Sequence, residues 1–163
     1  MSRRDLLTLL RRSLVLAALM FWQGGFTFYA SVVVPVGKQV LGTDLEQGMI
    51  TRRVTVWLNL SGAVALVPLL WEAASGRGGG MWARRLRWLA LLGIAVAQAV
   101  LFWLHPRLDA LLDPEAVRLL DRSAFRSGHR WYLYVSTVQW GCALVFAVLT
   151  LWVWRGQERA GAP

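Results

Sequence analysis

The sequence predicts an all-α integral membrane four-helix bundle made of two helical hairpins, with a short interfacial helix in the loop before the last span. Three observations carry that expectation. The 163-residue chain is 56% apolar, with a mean hydropathy of +0.46. A soluble domain of this size could not hide that much apolar surface. Its charged residues, 17% of the chain with a net charge of +9, are gathered into blocks. Between the blocks lie four stretches, 13–36, 54–71, 88–104 and 131–154, that hold no Asp, Glu, Lys, Arg or His. They are 24, 18, 17 and 24 residues long, and about 20 helical residues cross a hydrocarbon core, with roughly 17 the lower limit. Lipid offers no partner to backbone N–H and C=O groups, so such stretches must be helical. Residues 1–163 read as a single transmembrane domain.

The elements follow in order. Arg3, Arg4, Arg11 and Arg12 precede the first stretch. Its length, its bulky Phe21, Trp22 and Phe26, and the lack of a small-residue cleavage site mark it as a retained span rather than a removed leader. Val34-Pro35 predicts its end, because a residue before proline avoids the α region. Thr43-Asp44-Leu45-Glu46 is a capping box, so the second helix is expected to begin at Asp44, ahead of its membrane part. Residues 75–80, Ser-Gly-Arg-Gly-Gly-Gly, read as a flexible connector between hairpins. His105-Pro106 predicts the end of the third helix. Asp113-Pro114 offers an N-cap and a first-turn proline, and Val117, Leu120 and Ala124 would then share one face of a short interfacial helix. Trp57, Trp71, Trp82, Trp88, Trp103, Trp131, Trp152 and Trp154 lie near span ends, where an indole sits at headgroup level.

A strongly basic chain raises the question of nucleic acid. Here the cations flank apolar runs instead of forming a stripe with exposed aromatics, so their partner is expected to be the lipid bilayer and no nucleic acid. With the N-terminus inside, ten cations face the cytoplasm and eight face outward. That bias places both termini in the cytoplasm of a multi-pass protein of the cell membrane. The lone Cys142, within an apolar run, allows no internal disulfide and behaves as a small hydrophobe.

Each span carries one carboxamide: Gln23, Asn59, Gln98 and Gln139. An amide facing lipid would leave donors and an acceptor unpaired, so all four are expected to point into the bundle. There they would bond between helices, each worth about 0.6–2 kcal/mol, or line a substrate path. Small residues such as Gly62, Gly93, Ala97 and Gly141 mark close helix contacts. Arg52, Arg53, Arg126 and Arg130 sit where the second and fourth helices enter the membrane and are candidates for headgroup or anion contact. No metal site stands at ligand spacing; His105 and His129, both expected at the outer face, are the candidates for haem or copper. No paired carboxylates, phosphate loop or nucleophile elbow is present. Neither catalysis nor a cofactor is therefore expected.

Gly24-Gly25, the Val34-Pro35 step, the amphipathic 43–53 segment and Phe125-Arg126-Ser127-Gly128-His129 together resemble the transmembrane-protein-205-like family. Its members carry a glycine-bearing first helix ending in an apolar-Pro step, and a Phe-x-x-x-His pattern near the last helix. The resemblance implies a small four-helix membrane domain with no known enzymatic activity. The expected role is that of a membrane scaffold or a subunit of a larger membrane complex, or a homo-oligomer. The alternatives are a small transporter with an amide-lined interior and a haem- or copper-binding membrane protein.

Overall fold

The computed structural model describes residues 2–75, 79–113 and 118–160. The chain is almost entirely helical: α1 (Arg3–Phe28), a π-helical turn (Tyr29–Val33), α2 (Val34–Leu41), α3 (Asp44–Ser75), α4 (Gly80–Asp109) and α5 (Arg122–Ala160). A two-stranded ladder, β1 (Leu112–Asp113) with β2 (Arg118–Leu119), precedes α5. α1 packs on α3, α3 on α4, and α4 on α5, with a lighter contact from α5 back to α1. Among the described residues three helices, α3, α4 and α5, are long and apolar enough to cross a membrane. At 1.5 Å per residue the 32 residues of α3 reach about 48 Å, beyond a hydrocarbon core of about 30 Å.

The interior is where the four long helices meet. Leu69, Ile94, Ala143 and Phe146 are 0% exposed, and Val15 and Trp22 fill the same core from α1. Large apolar side chains also cover the outside: Phe21, Trp57, Val67, Trp82 and Val148 are all exposed. At most a third of the most apolar stretch of α3, α4 or α5 is buried inside the chain. Apolar surface of that extent on every long helix calls for an apolar surrounding.

Two expected helix ends are corrected. The first helix does not stop at Val34-Pro35; it runs on through a π turn, in which the Val34 N–H bonds Tyr29 O, to Leu41. Proline lacks the N–H that would close the regular pattern there. A widened turn re-pairs the neighbouring groups, whereas a helix end would leave several carbonyls to find other partners. Gly42, at φ 80°, then closes α2 by bonding Lys38 O, the left-handed position that glycine adopts without penalty. Likewise α4 continues past His105-Pro106 to Asp109, with Pro106 inside the helix.

The loop before the last span also differs. Residues 114–117, the centre of the expected interfacial helix, lie outside the described residues. On either side Leu112 pairs with Leu119 and Asp113 with Arg118, and helix resumes only at Arg122, running unbroken into the last span. Ala124 is therefore part of α5 and Leu120 lies before it. The cap assigned to Asp113 falls instead to Asp121, whose Oδ1 accepts the Ser123 and Ala124 N–H groups, both at 2.9 Å. The Thr43 box is present: the Glu46 N–H donates to Thr43 Oγ1 at 3.2 Å and the Thr43 hydroxyl to Glu46. The centre of the glycine connector, 76–78, lies outside the described residues, while Gly79 and Gly80 adopt positive φ.

The amide bonds from Ala124 and Ser123, with the Ser123 hydroxyl, hold the Asp121 carboxyl below its ordinary value of 3.8. A lowered folded-state value means that the stabilisation is complete above the ordinary range and is lost as acid protonates the capped form. Asp121→Ala is expected to speed hydrogen exchange at Ser123 and Ala124 several-fold at neutral pH. Wild type is expected to match the variant only well below pH 4. Equal exchange at neutral pH would refute the cap.

Candidate functional site

The described polar groups collect at two levels. At one end of the bundle, three of the four amide-bearing span residues are linked. Gln98 Nε2 donates to Asn59 O at 3.1 Å, and Gln139 Nε2 donates to Gln98 Oε1 at 2.9 Å. The Tyr132 hydroxyl donates to Asn59 Oδ1 at 2.9 Å. Asn59, Gln98 and Gln139 are all buried, and the chain of bonds links α3, α4 and α5. Gln23 does not join it: it is half-buried and its Oε1 has no partner among the described residues. Gly62 makes the convergence possible. A Cβ there would collide with Gln98 Oε1 and lie 2.8 Å from Trp22 Nε1, so α1 and α4 both close over this one residue. Gly93 plays the same part for Cys142, whose Sγ would lie 2.7 Å from an added Cβ.

At the opposite end stands a charged junction that the sequence reading passed over. Glu72 is 0% exposed and Arg87 is 2% exposed. Arg11 Nε donates to Glu72 Oε2 at 2.7 Å, Trp154 Nε1 to Oε1 at 2.9 Å, and Arg87 Nη2 to the same Oε1 at 3.2 Å. One carboxylate thus binds α1, α4 and α5 to α3. The Arg87 guanidinium also lies 5.5 Å from the Phe146 ring centroid, a cation–π contact. Beside it Arg12 bonds Glu158 at 2.8 Å and Gln157 at 2.9 Å and stacks on Trp154. Burying a charge is costly unless it is paired and hydrogen-bonded, and Glu72 is both. The signal was phase. Glu72 and Arg87 border the uncharged stretches, yet they keep helical register with the buried Leu69 and Ala73 and with Ala83, Leu91 and Ile94.

The cationic and imidazole candidates are dispersed. Arg52 Nε donates to Asp109 Oδ1 at 2.8 Å, and His105 Nε2 lies 3.2 Å from Arg52 O. Both therefore serve the α3–α4 contact. Arg53, Arg126 and Arg130 are exposed. His129 stacks on Phe125 at 5.9 Å between ring centroids. Among the described residues no three His, Cys, Asp or Glu side chains form a group that could hold a metal ion. The arrangement can therefore join helices through neutral and charged hydrogen bonds. No nucleophile stands next to a base in any bond described above.

No family model, curated protein or solved structure matches the chain.

Proposed function

We propose that the chain is a multi-pass membrane protein that crosses the bilayer four times, as two helical hairpins. Its role is non-enzymatic: a membrane scaffold or a subunit of a larger assembly, with both termini cytoplasmic. The observation that carries this reading is the Glu72 junction. It draws on α1, α3, α4 and α5 at once, so the four long helices act as one rigid unit. The outer amides support the same reading, because Gln139 bonds Gln98, Gln98 bonds the Asn59 backbone carbonyl and the Asn59 amide oxygen accepts from Tyr132, instead of facing an open path. The segment of α1 from Ser13, the π turn and the start of α2 would supply the fourth crossing. The resemblance to the transmembrane-protein-205-like family points the same way.

The test is extraction from native membranes in a mild detergent, followed by native mass determination. The expected result is an assembly well above the 18.3 kDa of one chain. A strictly solitary 18.3 kDa species would overturn it. Solute flux in liposomes that disappears when Gln23, Asn59, Gln98 and Gln139 all become Leu would establish the transport reading in its place.

A further inference from the structure

Between the outer ends of α4 and α5 lies a cavity of about 450 Å³, open to one side. Val100, Trp103 and Leu108 form one wall, and Gly128, Trp131 and Val135 the other. Among the described residues Arg107 is the charged one lining it. Its guanidinium does not reach outward. It lies over the Trp103 ring, 3.5 Å from the centroid, one turn back toward the apolar part of α4, as the tilt of helical side chains favours. Among the described residues it has no carboxylate partner. Trp103 and Trp131, at the two rims, are 55% and 63% exposed.

We propose that this groove holds one acyl chain of an anionic membrane phospholipid, with the phosphate on Arg107. The proposal rests on the membrane reading above. Three features select that occupant. The walls are apolar, so they favour a hydrocarbon tail. The cation is complementary to a phosphodiester and has no counter-charge among the described residues. The depth matches as well. Val100 and Val135 lie inside the uncharged stretches 88–104 and 131–154, while Arg107 and Gly128 lie just beyond them. A tail at the deep end therefore brings its headgroup to the guanidinium. Val100 and Arg107 are seven residues apart, about 10 Å along the helix, within the roughly 15 Å depth of one leaflet. The indoles at the rims suit the glycerol and carbonyl level between the two.

The test uses the full chain purified in detergent, with dioleoyl phosphatidylglycerol or dioleoyl phosphatidylcholine added stepwise and bound lipid counted by native mass spectrometry. One phosphatidylglycerol is expected to bind about fivefold more tightly than phosphatidylcholine, and free glycerol phosphate is not expected to displace it. Arg107→Gln, a surface change, is expected to abolish the preference. Gly128→Leu, whose side chain would enter the groove against Leu108, is expected to weaken both lipids. An equal affinity for the two lipids in wild type, or a preference that survives Arg107→Gln, would overturn the proposal. Displacement by glycerol phosphate would show a free-phosphate site without a tail. The membrane reading is scored separately, by whether the protein stays monodisperse after detergent is removed. That outcome would sink the four-span reading whatever the lipid count shows.

Discussion

Replacing Glu72 with Gln is expected to cost the fold about 3–5 kcal/mol, which lowers the apparent melting temperature in detergent by on the order of 10 °C. The size follows from what remains. Arg87 is 2% exposed, and Glu72 is the carboxylate it bonds. Glutamine keeps the shape and one acceptor oxygen, so it removes the charge and sets an NH2 donor against either Arg11 or the Arg87 and Trp154 pair. Arg11, with 13% of its side chain exposed, can turn toward the headgroups and suffers less. A second substitution separates pairing from mere polarity. Arg87→Met in the Glu72→Gln background removes the stranded charge, so it is expected to recover part of the loss. Thermal melts followed by circular dichroism would read both. A Glu72→Gln melt within about 2 °C of wild type would mean that water, not protein, neutralises Arg87.

The legible part of the fold was the part set by solvent. Uncharged stretches of fixed length report an apolar surrounding however the helices pack, and α3, α4 and α5 contain the stretches expected of them. The Thr43–Glu46 box was legible because capping is local. The errors share a cause. Val34-Pro35 and His105-Pro106 predict helix ends by a rule that holds for chains in water, where a freed carbonyl can bond solvent. Instead the first helix passes through a π turn and α4 carries its proline inside the helix, as a chain does where hydrocarbon offers a freed carbonyl no partner. Asp113-Pro114 has the sequence of a cap, but strand pairing across the loop placed Asp113 opposite Arg118.

The site was half legible for a related reason. Amides were placed inside because they are costly in lipid, and Asn59, Gln98 and Gln139 are buried. Glu72 and Arg87 escaped because a charge was treated as the boundary of a span. Whether a boundary charge faces water or a partner depends on three other helices, and single-chain periodicity holds that information only as phase. Trp154 shows the same limit. Its place near the end of a span suggested headgroup contact, yet its indole N–H is bound to Glu72 at 2.9 Å.

Gly62→Ala is expected to destabilise the bundle by about 1–3 kcal/mol, an unusual cost for one methyl group on a helix. Alanine is the better helix former by about 1 kcal/mol, so the intrinsic effect has the opposite sign and packing must overcome it. The added Cβ collides with Gln98 Oε1, the atom that accepts from Gln139. Gln98 cannot simply swing aside, because its Nε2 is committed to Asn59 O. Trp22, 4% exposed, closes the other side. The methyl group therefore parts α3 from α4 or breaks the bond from Gln139, whose amide then keeps only the long 3.5 Å bond to Ile94 O in an apolar interior. Gly141→Ala supplies the control, since an added Cβ there meets nothing within 4 Å; it is expected to be neutral or stabilising. Gln98→Ala removes the obstructing oxygen, so the Gly62 and Gln98 substitutions together should cost less than the sum of the two alone. Additive costs, or equal effects of alanine at 62 and 141, would mean that the amides do not fix the spacing of these helices.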